Sequence, residues 1–176
     1  MFQEISQDEF TARLRGIERS RWRMEFQRAY TVDMEMPRYK HWQETGDIDW
    51  EYHLWWIEYM QRLRDEGKSV RRIKVVDEPL NDYWKFTYAQ TGRLNAAGDA
   101  TRWCNRQEMS HILVPPTDFY VLDGREVMFL HFGGDLQPSG YTVSENPELV
   151  AAATSAFNTA WDFSTPHDDY KPRNDR

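Results

Sequence analysis

At 176 residues, with 40% hydrophobic and 15% aromatic side chains, the chain is long enough for one domain with its own core and too apolar for wholesale disorder. A net charge of -7 and a pI near 5.3 argue against broad electrostatic attachment to nucleic acid or to an anionic membrane. The single cysteine, Cys104, rules out an internal disulfide and fits a reducing compartment. No apolar run is long enough to span a bilayer, and the opening MFQEISQDEF lacks the basic and apolar regions of a signal peptide. The expected location is therefore cytoplasmic. Eight Trp, nine Tyr and nine Phe offset a mean hydropathy of -0.84 and are read chiefly as core, with a ring-lined pocket as the alternative.

In chain order, Ser6 and Glu9 have capping-box spacing, and Phe10, Leu14 and Ile17 recur at helical spacing, so a helix is expected over Asp8–Arg19. Trp22, Met24 and Phe26 then alternate with Arg21, Arg23 and Glu25, the pattern of a half-buried strand with a charged outer face. Thr31–Gly46, broken by Pro37, reads as irregular. Asp47 or Asp49 can cap a helix carrying Tyr52, Trp55, Trp56, Tyr59, Met60 and Leu63, with Gly67 as its stop.

SVRRIKVVDEPL reads as a strand ending at Pro79, with Arg72, Lys74 and Val76 on one face and Ile73 and Val75 on the other. A further strand is expected from the alternation of Trp84, Phe86 and Tyr88, and Gln90–Pro116 reads mostly as loop. DFYVLDGREVMFLHF is a hairpin around Asp123-Gly124, because Gly accepts the positive φ such a turn needs. A last strand at Tyr141–Val143 leads to a helix capped by Asn146, with Leu149, Val150, Ala153, Phe157 and Trp161 on one side. The expected architecture is a single α/β domain over 1–163, a mixed β-sheet flanked by helices, followed by a disordered polar tail over 164–176.

Chemical signatures are sparse. His41, His53, His111, His131 and His167 are scattered without metal-ligand spacing, and no metal site is expected. The glycines of LHFGGDLQPSG form neither a phosphate loop nor a dinucleotide fingerprint, so no cofactor has sequence support. The basic run Arg71, Arg72 and Lys74 either pairs with nearby acids such as Asp77, Glu78 and Asp82 or offers an anion pocket, Arg72 serving as a fork-shaped donor.

Two resemblances bear on these residues. RRIKVVDEPLNDYWKF, with WRMEFQRAYTV before it and DFYVLDGREVMFL after it, resembles a family of small bacterial proteins of unknown function that are often encoded beside helix-turn-helix transcriptional regulators. It covers about Phe10 to Trp161 and implies a regulatory role. The hairpin with its Asp-Gly and Gly-Gly turns also resembles half of a phospholipase D-like domain, whose strand carries H-x-K-x-x-x-x-D. Aligned on Asp123, Pro116 stands where that superfamily has its nucleophilic His, and Asp118 where it has its phosphate-binding Lys. The usual chemistry would then be absent.

The sequence therefore points first to a non-enzymatic regulatory or ligand-sensing domain acting with a helix-turn-helix regulator or a small anionic ligand. Arg72 and Lys74 are the expected contacts, with Asp82, Tyr83, Asp118 and Asp123 shaping the same region. The alternative is an enzyme on phosphodiester or nucleotide substrates with an altered active site around Arg72, Asp82, Asp123 and His131. Direct nucleic-acid binding, through Arg13, Arg15, Arg19, Arg21 and Arg23, ranks last on the acidic charge balance.

Overall fold

Ser6 and Glu9 open the first helix by serving each other's amides: the Ser6 hydroxyl accepts from Glu9 N at 3.2 Å and the Glu9 carboxylate from Ser6 N at 2.8 Å. In the computed structural model, which describes residues 2–173, this caps α1 (Gln7–Arg15), which stops at Gly16 rather than at Arg19. It lies between β1 (Gln3–Ile5) and β2 (Ser20–Glu25). The stretch expected to be irregular holds two short helices, α2 (Thr31–Met34) and α3 (Pro37–Thr45). Pro37 starts α3 instead of breaking the chain, because the first helical position has no use for an N–H donor. A 3-10 turn, Trp50–His53, capped by Asp49, runs into α4 (Leu54–Asp65), and Gly67 follows at φ 74°.

After β3 (Ser69–Val76) comes the main departure from the sequence reading: α5 (Asp82–Ala97) occupies the segment read as a strand around Trp84, Phe86 and Tyr88. The Asn81 side chain accepts from Trp84 N at 3.0 Å and caps it. Its buried residues, Trp84, Thr87 and Thr91 among them, fall at helical spacing. Topology explains the choice. β3 pairs in parallel with β4 (Ala100–Asn105), and parallel neighbours need a crossover, here α5. The expected loop Gln90–Pro116 is thus divided into the end of α5, strand β4 and an irregular stretch.

The hairpin follows as β5 (Asp118–Leu122) and β6 (Glu126–Phe132), with Asp123 at φ 54° and Gly124 at φ 66°, both positive as a type I′ turn requires. Then come β7 (Pro138–Ser144), α6 (Pro147–Phe163) and β8 (Thr165–Pro166). Together the strands form one mixed eight-stranded sheet in the order β1-β7-β6-β5-β2-β3-β4-β8, flanked by helices.

α6 covers one face, where Phe157 packs with Met24, Ile73, Val75, Phe119 and Val121. α1 and α4 cover the other, through Met60, Leu63, Val70, Tyr120 and Leu122, and α5 joins them through Trp84, packed with Val76 and Trp103. The polar tail is ordered as far as residue 173, contrary to expectation. β8 pairs with β4, and buried Tyr170 stacks on Trp103 with ring centroids 5.2 Å apart. Residues 174–176 lie outside the described residues. Among the described residues no helix is long and apolar enough to cross a membrane.

Candidate functional site

Strand alternation sends Trp22 and Met24 toward α6 and Arg21, Arg23 and Glu25 to the other face. That second face was expected to meet solvent. Instead it is roofed by α4 and α5, so the charges form a layer inside the molecule. β2 and β3 run parallel in a register that sets Arg23 beside Arg72 and Glu25 beside Lys74. Residues from three strands, β2, β3 and β5, meet there with Asp99 from the turn before β4.

Arg72 grips Asp99 with Nε at 3.3 Å and Nη2 at 3.1 Å, and its Nη1 bonds Glu25. Arg23 reaches Glu25 Oε1 at 3.3 Å and Asp118 Oδ2 at 3.2 Å. Asp118 also accepts from the Tyr30 hydroxyl and from Phe26 N, the latter at 2.7 Å. Tyr83 donates to Asp33 at 2.9 Å, and Arg38 holds the other Asp33 oxygen at 2.8 Å. Lys74 Nζ lies 3.6 Å from Glu25 Oε2 and 5.5 Å from the centres of both the Trp84 and Trp103 rings. Among the described residues Arg21 forms no ion pair; it sits against Met60 Sδ and over the Trp56 and Tyr59 rings.

The ionisation of these groups follows from burial set against neighbouring charge. Burial opposes ionisation of Glu25, but Lys74, Arg23 and Arg72 hold its carboxyl well below the usual carboxylate range. Burial likewise opposes ionisation of Asp99, whose carboxyl Arg72 and Arg21 hold low. For Asp118 burial wins over Arg23 and the carboxyl is pushed up. Burial lowers the Lys74 ammonium to about 8 despite Glu25. The His53 imidazole is also pushed down by burial.

A cavity of about 250 Å³ opens onto this layer, lined by Arg23, Glu25, Arg72, Lys74, His53 and Gln90 and edged by Tyr52 and Trp55. Four cations, Arg21, Arg23, Arg72 and Lys74, face three carboxylates, Glu25, Asp99 and Asp118. Arg23 Nε, His53 Nε2 and Gln90 Oε1 are buried without a hydrogen-bond partner, and all three residues line the cavity. A larger depression of about 780 Å³ along α6, around Thr154, Ser155 and Asn158, has no buried polar side chain and offers no comparable chemistry. Among the described residues no group of three or more His, Cys, Asp or Glu could hold a metal ion.

Of the residues nominated from sequence, Arg72, Lys74, Tyr83 and Asp118 come together here. Asp82 does not: it is exposed in the first turn of α5 and pairs with Lys85 at 3.3 Å. Asp123 does not either. It sits at the opposite end of β5 from Asp118 and accepts from the amides of Glu18, Arg19 and Ser20 at 2.9, 2.7 and 2.7 Å, locking the α1–β2 loop to the hairpin. His131 follows Val127 and Phe129 along the α6 face and bonds Thr142 Oγ1 at 2.9 Å. The altered active site of Arg72, Asp82, Asp123 and His131 is therefore never assembled. The fork of Arg72, read either as paired with nearby acids or as offered to an anion, is paired, but with Glu25 and Asp99 rather than with Asp77, Glu78 or Asp82. The five arginines near α1 also fail to form one face, since Arg13 pairs with Glu126 and Arg21 and Arg23 point into the buried layer. Sequence reasoning missed Glu25, Tyr30, His53, Gln90 and Asp99 and placed Arg23 on the outside. The one available signal was the matched charge alternation on β2 and β3.

Among curated proteins, none matches the chain. Solved structures share its fold, TrmBL2 and NucT among them. TrmBL2, an archaeal chromatin protein with a novel mode of DNA binding, superposes with a TM-score of 0.52 at 10% identity, covering 94% of this chain and 53% of its own. The chain thus spans about half the length of that relative. NucT from Helicobacter pylori superposes with a TM-score of 0.51 at 10% identity, covering 94% of this chain and 97% of its own. The argument from net charge against direct nucleic-acid binding is overturned by the first of these, in which the same fold belongs to a DNA-binding protein. Net charge averages over a whole surface and does not describe a cleft. Residues 8–172 match the profile described as Domain of unknown function (DUF6879), and the chain belongs to that family.

Proposed function

We propose that this chain binds single-stranded nucleic acid by drawing one nucleotide into the cleft between the sheet and helices α4 and α5. The excess of buried positive charge carries this reading. Arg21, Arg23, Arg72 and Lys74 outnumber Glu25, Asp99 and Asp118, and Arg23 and Lys74 line the cleft, the first with its Nε buried and unpartnered and the second 3.6 Å from Glu25 Oε2. Buried cations without full compensation are costly, and a phosphate would supply both charge and lone pairs. Tyr52 and Trp55, exposed at the mouth, offer ring faces on which bases stack. The fold shared with a DNA-binding chromatin protein supports the same reading.

The phospholipase D-like resemblance belongs to this proposal. Asp118 stands at that superfamily's Lys position and is engaged by Arg23 and Tyr30, and Pro116 supplies no nucleophile. Such a cleft binds without cleaving, which suits a regulatory role, alone or beside a helix-turn-helix regulator. A second reading, an enzyme on phosphodiester or nucleotide substrates, is favoured by Lys74, whose ammonium at about 8 can exchange a proton near neutrality. Fluorescence anisotropy with single-stranded and duplex oligonucleotides tests the proposal. Preferential, salt-sensitive binding of the single strand, lost in Lys74→Met, is the expected result. Absence of binding, or binding unchanged in that variant, would refute it.

A further inference from the structure

Burial runs in one direction along the cleft. Its cations stand at the sheet-side end: Lys74 is 7% exposed, and the side chains of Arg72 and Arg23 are 15% and 19% exposed. Its exposed rings, Tyr52 and Trp55, stand at the mouth. Glu25 and Asp99 share the buried end, but Arg72 is bonded to both of them. Two cations there keep donors to spare. Arg23 has its Nε buried and unpartnered. Lys74 carries three N–H donors, and among the described residues its ammonium pairs only with Glu25 Oε2, at 3.6 Å. The cavity, at about 250 Å³, is smaller than the roughly 300–1,000 Å³ of pockets that enclose drug-sized ligands, so it has room for one nucleotide and not for two.

We infer that the cleft recognises the phosphomonoester end of a single strand in preference to the phosphodiesters along it. This rests on the cleft-binding reading above and names the part of the strand that enters that same site. An internal phosphate is flanked by two sugars, and both would have to follow it past the rings at the mouth to reach Lys74. A terminal phosphate brings only one. It also carries about 1.5–2 negative charges near pH 7 and three acceptor oxygens, whereas a diester carries a single charge and two free oxygens. The charge layer suits the more highly charged group. Arg21, Arg23, Arg72 and Lys74 are set against Glu25 and Asp99, and burial pushes the Asp118 carboxyl up, which lessens the negative charge opposing them. Arg23 and Lys74 take the terminal phosphate, and the strand leaves past Trp55.

Fluorescence anisotropy of the full chain with four single strands of one sequence, each labelled internally, tests the assignment. One strand carries a 5′-phosphate, one a 3′-phosphate, one hydroxyls at both ends, and one is closed into a circle. At least one phosphorylated strand is expected to bind about tenfold or more tightly than the hydroxyl-ended strand and the circle, the weight of one further hydrogen bond between charged groups. Which phosphorylated strand gains identifies the end that enters. Lys74→Met is expected to bring the ratio close to one by weakening the phosphorylated strand. Lys74→Gln does the same should the methionine variant fail to fold, as read by thermal unfolding. A circle and a hydroxyl-ended strand that bind as tightly as both phosphorylated strands would overturn the inference while sparing the cleft. A preference for the phosphorylated end that persists unchanged in either folded variant would place that end elsewhere and overturn it too. If no strand binds, the cleft reading and the inference fall together, and calorimetric binding of a nucleoside 5′-monophosphate would then assign the site to free nucleotide.

Discussion

Glu25 and Lys74 stand side by side in register on parallel strands, yet their charged atoms are 3.6 Å apart and share no hydrogen bond. Arg72 and Arg23 occupy Glu25 from the other side, and Lys74 is left between the Trp84 and Trp103 rings. Lys74, held by its carboxylate only at this longer distance, is therefore also the cation that burial pushes toward neutrality.

Titration of Lys74 should be visible in binding. Its ammonium is lowered to about 8, so affinity for a phosphate-bearing ligand is expected to hold near neutrality and fall as pH rises through that value. Lys74→Met should bind more weakly and lose that part of the pH dependence. Stability of the free chain runs the other way. Between about 8 and the unfolded value of 10.5, the unfolded chain holds the extra proton, so the Lys74 contribution to stability rises with pH. Urea denaturation of both chains across this range reads the difference.

Removing Asp99 should be among the costliest changes in the layer. Asp99→Ala leaves Arg72 with Glu25 alone and deprives Trp56 Nε1 of its acceptor at 3.2 Å. A broken buried pair of this kind costs about 3–5 kcal/mol, measurable by urea denaturation. Asp99 and Glu25 both have folded values below their unfolded ones, 3.8 and 4.5. Their stabilisation is present above the unfolded values and is lost as pH falls through the folded ones. The unaltered chain should accordingly be less stable in acid, and Asp99→Ala should flatten that decline.

Trp55 separates binding from folding. It is 62% exposed, so Trp55→Ala should change stability by no more than about 0.5 kcal/mol. Loss of one stacking ring should nevertheless weaken oligonucleotide binding by roughly 1–3 kcal/mol in an anisotropy titration.

Asp123 provides the converse. Asp123→Ala removes the acceptor of three amides and puts alanine at φ 54°, a left-handed conformation that Asp tolerates better. A loss of roughly 2–3 kcal/mol is expected on thermal or urea unfolding. Ligand affinity of the folded variant should not move, because Asp123 is at the far end of β5 from Asp118.

What the sequence disclosed was local. The Ser6–Glu9 box, the Asn146 cap and the Asp123-Gly124 turn are each decided within a few residues, and each forms as read. α5 was illegible because Tyr83, Trp84, Phe86 and Tyr88 crowd so densely that strand and helix periods both fit, and the parallel pairing of β3 with β4 decides between them. Alternation on β2 correctly sorted Arg21, Arg23 and Glu25 onto one face but could not say that two helices cover it. The site was legible only in part for the same reason. Arg72, Lys74, Tyr83 and Asp118 were nominated from nearby segments, whereas Glu25, Asp99 and Gln90 join them only through sheet register and the packing of α5. Tyr170, in a tail that composition marked as disordered, is held by Trp103, a partner 67 positions away in the chain.

The central claim is that a nucleotide phosphate enters the charged cleft, and a crystal structure of the chain with a 5′-phosphorylated single-stranded oligonucleotide tests it most directly. The expected result is a phosphate oxygen within about 2.7–3.2 Å of Lys74 Nζ and Arg23 Nε, with its base against Trp55. Nucleic acid seated along α6 or elsewhere on the outer surface, with Lys74 and Arg23 untouched, would contradict it.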